Sequence, residues 1–253
     1  TLVVRDLPLI LQSDEARQTV VVREGTTAIV RGSFSDPGGS PTSFTAQLVS
    51  EAGAATDIGS IVFGELDGSW TWSYTPEDGS GQIKKVVITA TDSDGAKSEL
   101  SFNVQVNNVA PTATFTGAVV NEGDTEAVVR FTDAGDISPA DLAAGFTYKY
   151  NFDDGNGFVT GEPADTANPN SGEVKVPAEL LASSGTFTVR GLIIDKDGGF
   201  REYNAPVLVN NMAPSLGDVS VDQTILENGS VTLSGSFTDA GPTDTHRVLI
   251  EWG

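Results

Sequence analysis

One hexapeptide is written twice: Val106-Asn107-Asn108-Val109-Ala110-Pro111 and, 103 residues on, Val209-Asn210-Asn211-Met212-Ala213-Pro214. Proline has no amide hydrogen for a ladder and fixes its own φ, so each copy closes one alternating run and starts another. A weaker third copy, Val4-Arg5-Asp6-Leu7-Pro8, lies 102 residues before the first. Other landmarks keep the same order. Val21-Val22-Arg23-Glu24-Gly25 returns as Val119-Val120-Asn121-Glu122-Gly123, and again as Ile225-Leu226-Glu227-Asn228-Gly229. Phe34-Ser35-Asp36-Pro37-Gly38 returns as Phe131-Thr132-Asp133-Ala134-Gly135 and Phe237-Thr238-Asp239-Ala240-Gly241. Asp92-Ser93-Asp94-Gly95 returns as Asp195-Lys196-Asp197-Gly198. Recurrence at a fixed period marks a repeated structural module. It predicts the end of a preceding module at 1–6, complete modules at 7–108 and 109–211, and the N-terminal part of a third at 212–253. On this reading the chain is a segment of something longer.

Within a module the apolar period is two, the period of a strand with one face buried. In the first, Thr19–Arg23 and Thr26–Phe34 are split by a Glu24-Gly25 reversal. Ser43–Val49 and Ser69–Tyr74 alternate, and Gln82–Thr91 pairs with Leu100–Val106 around the Asp92–Gly95 turn. Pro76-Glu77-Asp78-Gly79 is a turn, as is 35–39 by composition. About seven strands at this spacing imply an antiparallel sandwich. In the second module Phe146, Tyr148, Tyr150 and Phe152 share one strand face, 139–144 forms one helical turn, and 161–173 reads as a long polar loop. The fold class is all-β, as sandwiches strung end to end.

Several of these segments resemble the immunoglobulin-like repeats of large bacterial surface proteins, of the PKD (polycystic kidney disease-type) and cadherin-like kinds. They are Trp70-Thr71-Trp72-Ser73-Tyr74-Thr75-Pro76-Glu77-Asp78-Gly79 and Val87-Ile88-Thr89-Ala90-Thr91-Asp92-Ser93-Asp94-Gly95. Tyr150-Asn151-Phe152-Asp153-Asp154-Gly155 resembles the PKD pattern W-x-F-G-D-G, with Asp153 for the glycine. Asp239-Ala240-Gly241, Thr243-Asp244-Thr245-His246 and Glu251-Trp252-Gly253 look like the start of another module. Asn107-Asn108-Val109-Ala110-Pro111 is a reduced form of the cadherin junction D-x-N-D-N-A-P, whose aspartates bind calcium. Asparagine stands in their place here, leaving one side-chain oxygen each.

Sandwich geometry then says which acidic loops meet. Glu24 and Glu77-Asp78 hang from the bottom of the first module. Asp133, Asp136, Asp195 and Asp197 crown the second, with Asn107 and Asn108 between. Glu24, Asn107, Asn108, Asp133 and Asp195 form the core of this expected calcium site, since calcium takes six to eight hard oxygens. Glu122, Asn210 and Asn211 approach Asp239 and Asp244 at the next junction, and Asp6 approaches Asp36, Asp92 and Asp94 at the first. The plainer reading is that Asp-x-Asp-Gly and Glu-Gly are turn residues and nothing more.

Charge and composition exclude other classes. With 35 acidic residues against 14 basic and a net charge of −21, the surface repels nucleic acid and anionic membranes. There is no cysteine and one histidine, His246, so neither a thiol nucleophile nor a Ser-His-Asp set can be assembled in a complete module. No apolar run reaches the roughly 20 residues that span a bilayer. The expectation is a non-catalytic structural or adhesive repeat region, extracellular or at the cell surface, a spacer stiffened by calcium. Its partners would be other surface proteins, carbohydrate or copies of itself. Two alternatives stand beside it. Trp70, Trp72 and Tyr74, on one strand face, could stack on sugar in a carbohydrate-binding appendage of a secreted enzyme, or simply be core. A self-assembling surface filament or S-layer subunit could pair an open sheet edge with a neighbour.

Overall fold

The computed structural model describes residues 9–13, 19–36, 41–50, 53–64, 68–221 and 225–252. Contacts divide it into two units, Thr1–Pro111 with Gly135–Gly145 and Asp195–Gly199, and Thr112–Ala134 with Phe146–Ile194 and Phe200–Gly253. The expected module end at 1–6, the Leu7-Pro8 junction, Asp6, most of the 35–39 loop and Gly253 lie outside the described residues.

Among its described residues the first unit holds nine strands: β1 (Ile10–Ser13), β2 (Thr19–Arg23), β3 (Ala28–Ser35), β4 (Pro41–Val49), β5 (Ala55–Asp57), β6 (Ser60–Gly64), β7 (Ser69–Tyr74), β8 (Ile83–Asp92) and β9 (Lys97–Asn107). They form two sheets, in the orders β1-β3-β7-β6 and β2-β9-β8-β4-β5. The first chain segment is therefore shared between sheets. β1 pairs antiparallel with β3, and β2 pairs parallel with β9, Thr19 opposite Asn103 through Arg23 opposite Asn107. These orders are the A-B-E-D and G-F-C arrangements of an immunoglobulin-like sandwich. Strands β1, β5 and β6 go beyond the sequence reading, which resolved only the longer alternating runs.

The core between the sheets explains the alternation. Trp70 and Trp72 are 1% and 0% exposed, and Val30, Val86, Ile88, Phe102 and Val104 close around them. Each indole N–H finds a carbonyl, Trp70 donating to Gln12 (3.1 Å) and Trp72 to Ile58 (2.9 Å). Both rings are thus filled into the sandwich with their polar edge satisfied. Gly32 has to be glycine, because a Cβ there would sit 2.5 Å from the Trp70 ring and closer still to the Gln12 carbonyl.

The second unit repeats the plan with β10 (Thr112–Thr116), β11 (Ala118–Asn121), β12 (Val128–Gly135), β13 (Thr147–Asn151), β14 (Glu162–Pro163), β15 (Glu173–Lys175), β16 (Gly185–Ile194) and β17 (Phe200–Asn210). The sheets run β10-β12-β15-β14 and β11-β17-β16-β13, with β11 parallel to β17 as β2 is to β9. Its core is aromatic: Phe131 stacks on Phe115 (4.3 Å between ring centres) and Tyr148 (5.2 Å), with Tyr150 and Phe152 buried beside them. The segment 161–173, expected as loop, carries β14 and the start of β15; a two-residue strand cannot show alternation. β18 (Ser215–Val221) and β19 (Leu233–Thr238) follow as an antiparallel pair with a bulge between Leu216 and Val219. None of the described helices is long and apolar enough to cross a membrane.

Candidate functional site

The site grows out of a glutamate at a tight turn. After β2 the chain reverses at Glu24-Gly25, where the Thr26 amide donates to the Arg23 carbonyl and Gly25 takes φ +69°. A side chain at Gly25 would meet Ile137 2.4 Å away. Glu24 is 0% exposed. Its amide donates to the Asn107 carbonyl (3.1 Å), and its Oε1 accepts the Val109 amide (2.7 Å). The carboxylate therefore clamps the backbone just past the duplicated Asn-Asn. Its other oxygen, Oε2, is buried without a hydrogen-bond partner.

Around it the first unit gathers more oxygens. Ser138 caps the short helix α1 (Pro139–Ala144), its hydroxyl accepting the Asp141 amide, while Asp136 Oδ1 accepts the Ser138 amide. The cap fixes Asp141 in the first turn, where it is wholly buried and neither carboxylate oxygen has a hydrogen-bond partner. One carboxylate oxygen each of Glu24, Asp78 and Asp141 lies within 4.8 Å of the other two. Asp136 Oδ2 and Asn108 Oδ1 are likewise buried and unpartnered. Burial holds the Glu24 carboxyl above its ordinary range, opposed by the Val109 and Gly79 amides and reinforced by Asp141 and Asp136. Burial raises Asp136 too, with Asp141 and Asp195 adding to the effect.

Asp195 is already spoken for. Its Oδ1 accepts the Asp197 and Gly199 amides (2.9 and 2.8 Å), and its Oδ2 accepts the Asn108 amide hydrogen (2.8 Å). It holds the turn and aims Asn108. Lys196 reaches across the cluster to Asp78 and Asp197, at 2.5 Å each, and to Asp141 at 3.4 Å. Those carboxylates raise the Lys196 ammonium, and its hydrogen bond holds Asp78 below the usual carboxylate range.

Of the expected residues, the first unit thus assembles Glu24, Asp78, Asn108, Asp136, Asp195 and Asp197 in one neighbourhood. Asn107 contributes its backbone carbonyl to the Glu24 amide. Glu77 is exposed. Asp133 is exposed in a left-handed conformation (φ 53°), bonded to the Thr132 hydroxyl. Asp141 and Lys196 went unread as site residues: an acid in a helical first turn and a lysine in a polar turn are ordinary there.

A parallel arrangement occurs in the second unit. The Glu122 amide donates to the Asn210 carbonyl (3.0 Å), and its Oε1 accepts the Met212 amide (2.6 Å). Here, however, Oε2 accepts the Ser184 amide (3.1 Å). Glu122, Asp239 and Asp244 form a second group of three carboxylates within 4.8 Å. Asp239 is engaged by the Gly241 amide (2.9 Å) and the His246 ring (2.7 Å), and both lower it. Asn210 and Asn211 are exposed, Asn210 contacting Asn121 and Asn211 contacting Ser184. Of the acids expected near Asp6, Asp92 is buried in its own turn, its Oδ1 accepting the Asp94 and Ala96 amides, and Asp94 is exposed; Asp36 is partly buried.

No family model matches this sequence, and no curated protein matches it. Solved structures do. The titin domains Z1Z2 in complex with telethonin align over 83% of this chain and 100% of theirs, at 16% identity and TM-score 0.41. Protocadherin gamma B7 cadherin domains 1–4 align over 92% of this chain and 60% of theirs, at 12% identity and TM-score 0.32. The sialic acid binding region of a Streptococcus sanguinis SK1 adhesin aligns over 82% of this chain and 78% of its own, at 11% identity and TM-score 0.32.

The chemistry of the first-unit group follows from its donors. They are carboxylate and amide oxygens with no histidine nitrogen or thiolate among them, the set that suits a hard cation such as calcium. Buried carboxylate oxygens left without donors are costly until a cation or proton reaches them. The residues fit calcium.

Proposed function

We propose that this chain is a non-catalytic structural and adhesive segment of an extracellular or cell-surface protein. Its immunoglobulin-like modules, at 7–108, 109–211 and from 212, run in tandem as in bacterial surface repeats of PKD and cadherin-like type. Calcium bound by Glu24, Asp78, Asn108, Asp136 and Asp141 restrains the segment that follows β9. The observation carrying this is the set of buried, unpartnered oxygens on Glu24, Asn108, Asp136 and Asp141, with Asp78 the third carboxylate of the close group that Glu24 and Asp141 form. Such a cation would neutralise part of the −21 charge and lock the Val109 clamp. Affinity should fall in the range of extracellular modules, roughly 10⁻⁴ to 10⁻³ M. The carbohydrate platform loses its support, because Trp70 and Trp72 are enclosed.

Small-angle X-ray scattering on residues 1–253, in millimolar calcium and then in excess chelator, tests the reading. A longer, narrower particle in calcium is expected. Superimposable profiles would sink calcium stiffening and leave a spacer held by packing and proline alone.

A further inference from the structure

Three carboxylates of the first unit lie in mutual reach: Glu24, Asp78 and Asp141. Glu24 and Asp141 are fully buried, and neither Asp141 oxygen nor Glu24 Oε2 has a completed hydrogen bond. A cation already touches two of the three. Lys196 Nζ lies 2.5 Å from Asp78 Oδ1 and 3.4 Å from Asp141 Oδ1. Its remaining contact, with Asp197 at 2.5 Å, is to its own neighbour in the chain and lies outside the group of three.

The turn does not require this lysine. Asp92-Ser93-Asp94-Gly95 is the same turn one repeat earlier, with a serine at the corresponding position. Both turns carry the same pair of bonds: Asp92 Oδ1 accepts the amides of Asp94 and Ala96 (3.0 and 2.9 Å), as Asp195 Oδ1 accepts those of Asp197 and Gly199 (2.9 and 2.8 Å). Lys196 is thus a charge added to a turn that stands without it. Its side chain is 29% exposed, on a flexible four-carbon stem, so the ammonium can swing into water and leave the turn intact. A calcium ion on this group would need the same carboxylates. Two cations sharing Asp78 and Asp141 repel each other at short range.

We propose that Lys196 is a built-in competitor for the calcium site. Ammonium and metal ion exclude one another from a single position on Glu24, Asp78 and Asp141. Without calcium the lysine neutralises part of the group; calcium displaces it to solvent. The lysine thereby sets the concentration at which the site fills. This rests on the reading above that calcium binds here, and it names what the ion must displace.

Two measurements on the full chain test it. In calorimetric titration with calcium chloride, Lys196→Met should bind the same number of ions as the natural chain but roughly three- to tenfold tighter, the worth of a small network of partly exposed ion pairs. Lys196→Arg, which keeps the charge, should stay close to the natural affinity. Lys97→Met makes the same change in net charge at the far end of β9 from Asn107, and should leave affinity unchanged. Lys196→Gln is the second neutral variant should the Met form fold poorly by circular dichroism. In the natural chain, calcium should also speed acetylation of the Lys196 amine, read by peptide mass spectrometry against Lys97, because the released amine is exposed and more easily deprotonated. Equal affinity in the natural chain and both neutral variants, with Lys196 acetylation unmoved, would overturn the competitor while leaving calcium binding intact. Tightening in Lys97→Met as large as in Lys196→Met would overturn it as well, leaving only bulk charge. If neither the natural chain nor the neutral variants bind calcium, the calcium site and the lysine's role fall together.

Discussion

Glu24 and Glu122 hold the same post in successive repeats and perform the same backbone task, yet end in different electrostatic states. Each is buried at the turn between the second and third strands of its sandwich, and each clamps the amide two residues past the first Asn of the duplicated Asn-Asn. Glu122 has a second donor, the Ser184 amide, which completes its carboxylate. Glu24 Oε2 has no completed hydrogen bond, although the Gly79 amide also draws the carboxyl down, and Asp141 and Asp136 crowd it further. The same residue type in the same local motif is thus a finished structural clamp in one repeat and a clamp with a spare ligand in the other. Donor supply decides which, and the donors come from loops far away in sequence.

The largest effect should come from cutting the finished clamp. Glu122→Ala strands the Met212 and Ser184 amides and should cost about 3 kcal/mol, two hydrogen bonds to a charged group at roughly 1.5 kcal/mol each. Glu24→Ala in chelator should cost about 1 kcal/mol or less, because one lost bond is offset by removing a buried charge beside other carboxylates. Amide hydrogen exchange at Met212 and Val109 reads the two clamps separately. Equal loss of protection would break the distinction.

Calcium should sharpen it next. With about 10 mM calcium and a Kd of roughly 10⁻⁴ to 10⁻³ M, binding adds about 1.4 to 2.7 kcal/mol to whatever the ion stabilises. That gain should appear at Val109 and vanish in Glu24→Gln, whose amide can still accept the Val109 hydrogen bond but supplies less charge. Gain at Met212 alone would place the ion at the wrong glutamate.

The smallest effect is the pH response in chelator. A carboxyl raised by folding binds protons more tightly in the folded state, so it stabilises at low pH and loses that contribution as pH rises through its folded value. Glu24 and Asp136 are of this kind. Asp239, lowered by the Gly241 amide and His246, contributes above the usual carboxylate range and loses it as pH falls. Asp78, lowered by Lys196, behaves likewise. Protection at Val109 should therefore rise as pH falls from about 7 toward about 5, while protection at Gly241 holds flat and then declines on further acidification. A fall at Val109 over that interval would mean that Glu24 is not the strained member of the pair.

The alternation of Ser69–Tyr74 and the long hairpin of β8 and β9 were legible because one buried face imposes a period of two. Strands β5, β6 and β14 were not: three, five and two residues at the edges of their sheets leave too little pattern. The site divides along the same line. Glu24 and Asn108 were readable because they sit in a repeated motif, and Asp136 because it follows a recurrent landmark. Asp141 escaped because what makes it unusual is burial, and burial comes from the way Ser138 caps its helix onto the rest of the unit. Asp133 drew attention as the repeated acid of Phe-Thr-Asp, but a positive φ turns it to solvent. Spacing alone cannot separate an acid that points inward from a neighbour that points out.

The parallel pairing of β2 with β9 carries a consequence for tension. Force enters a sandwich through its first and last strands. Behind β1, the second strand β2 runs beside the last, β9, in the same direction, so a pull on the two chain ends drags this pair in opposite senses along its length. The ladder from Thr19–Asn103 to Arg23–Asn107 is then loaded in shear, all its bonds sharing the strain at once, where an antiparallel pair would unzip one bond at a time. β11 and β17 repeat the arrangement. Each sandwich thus carries a shear-loaded latch one strand in from its start.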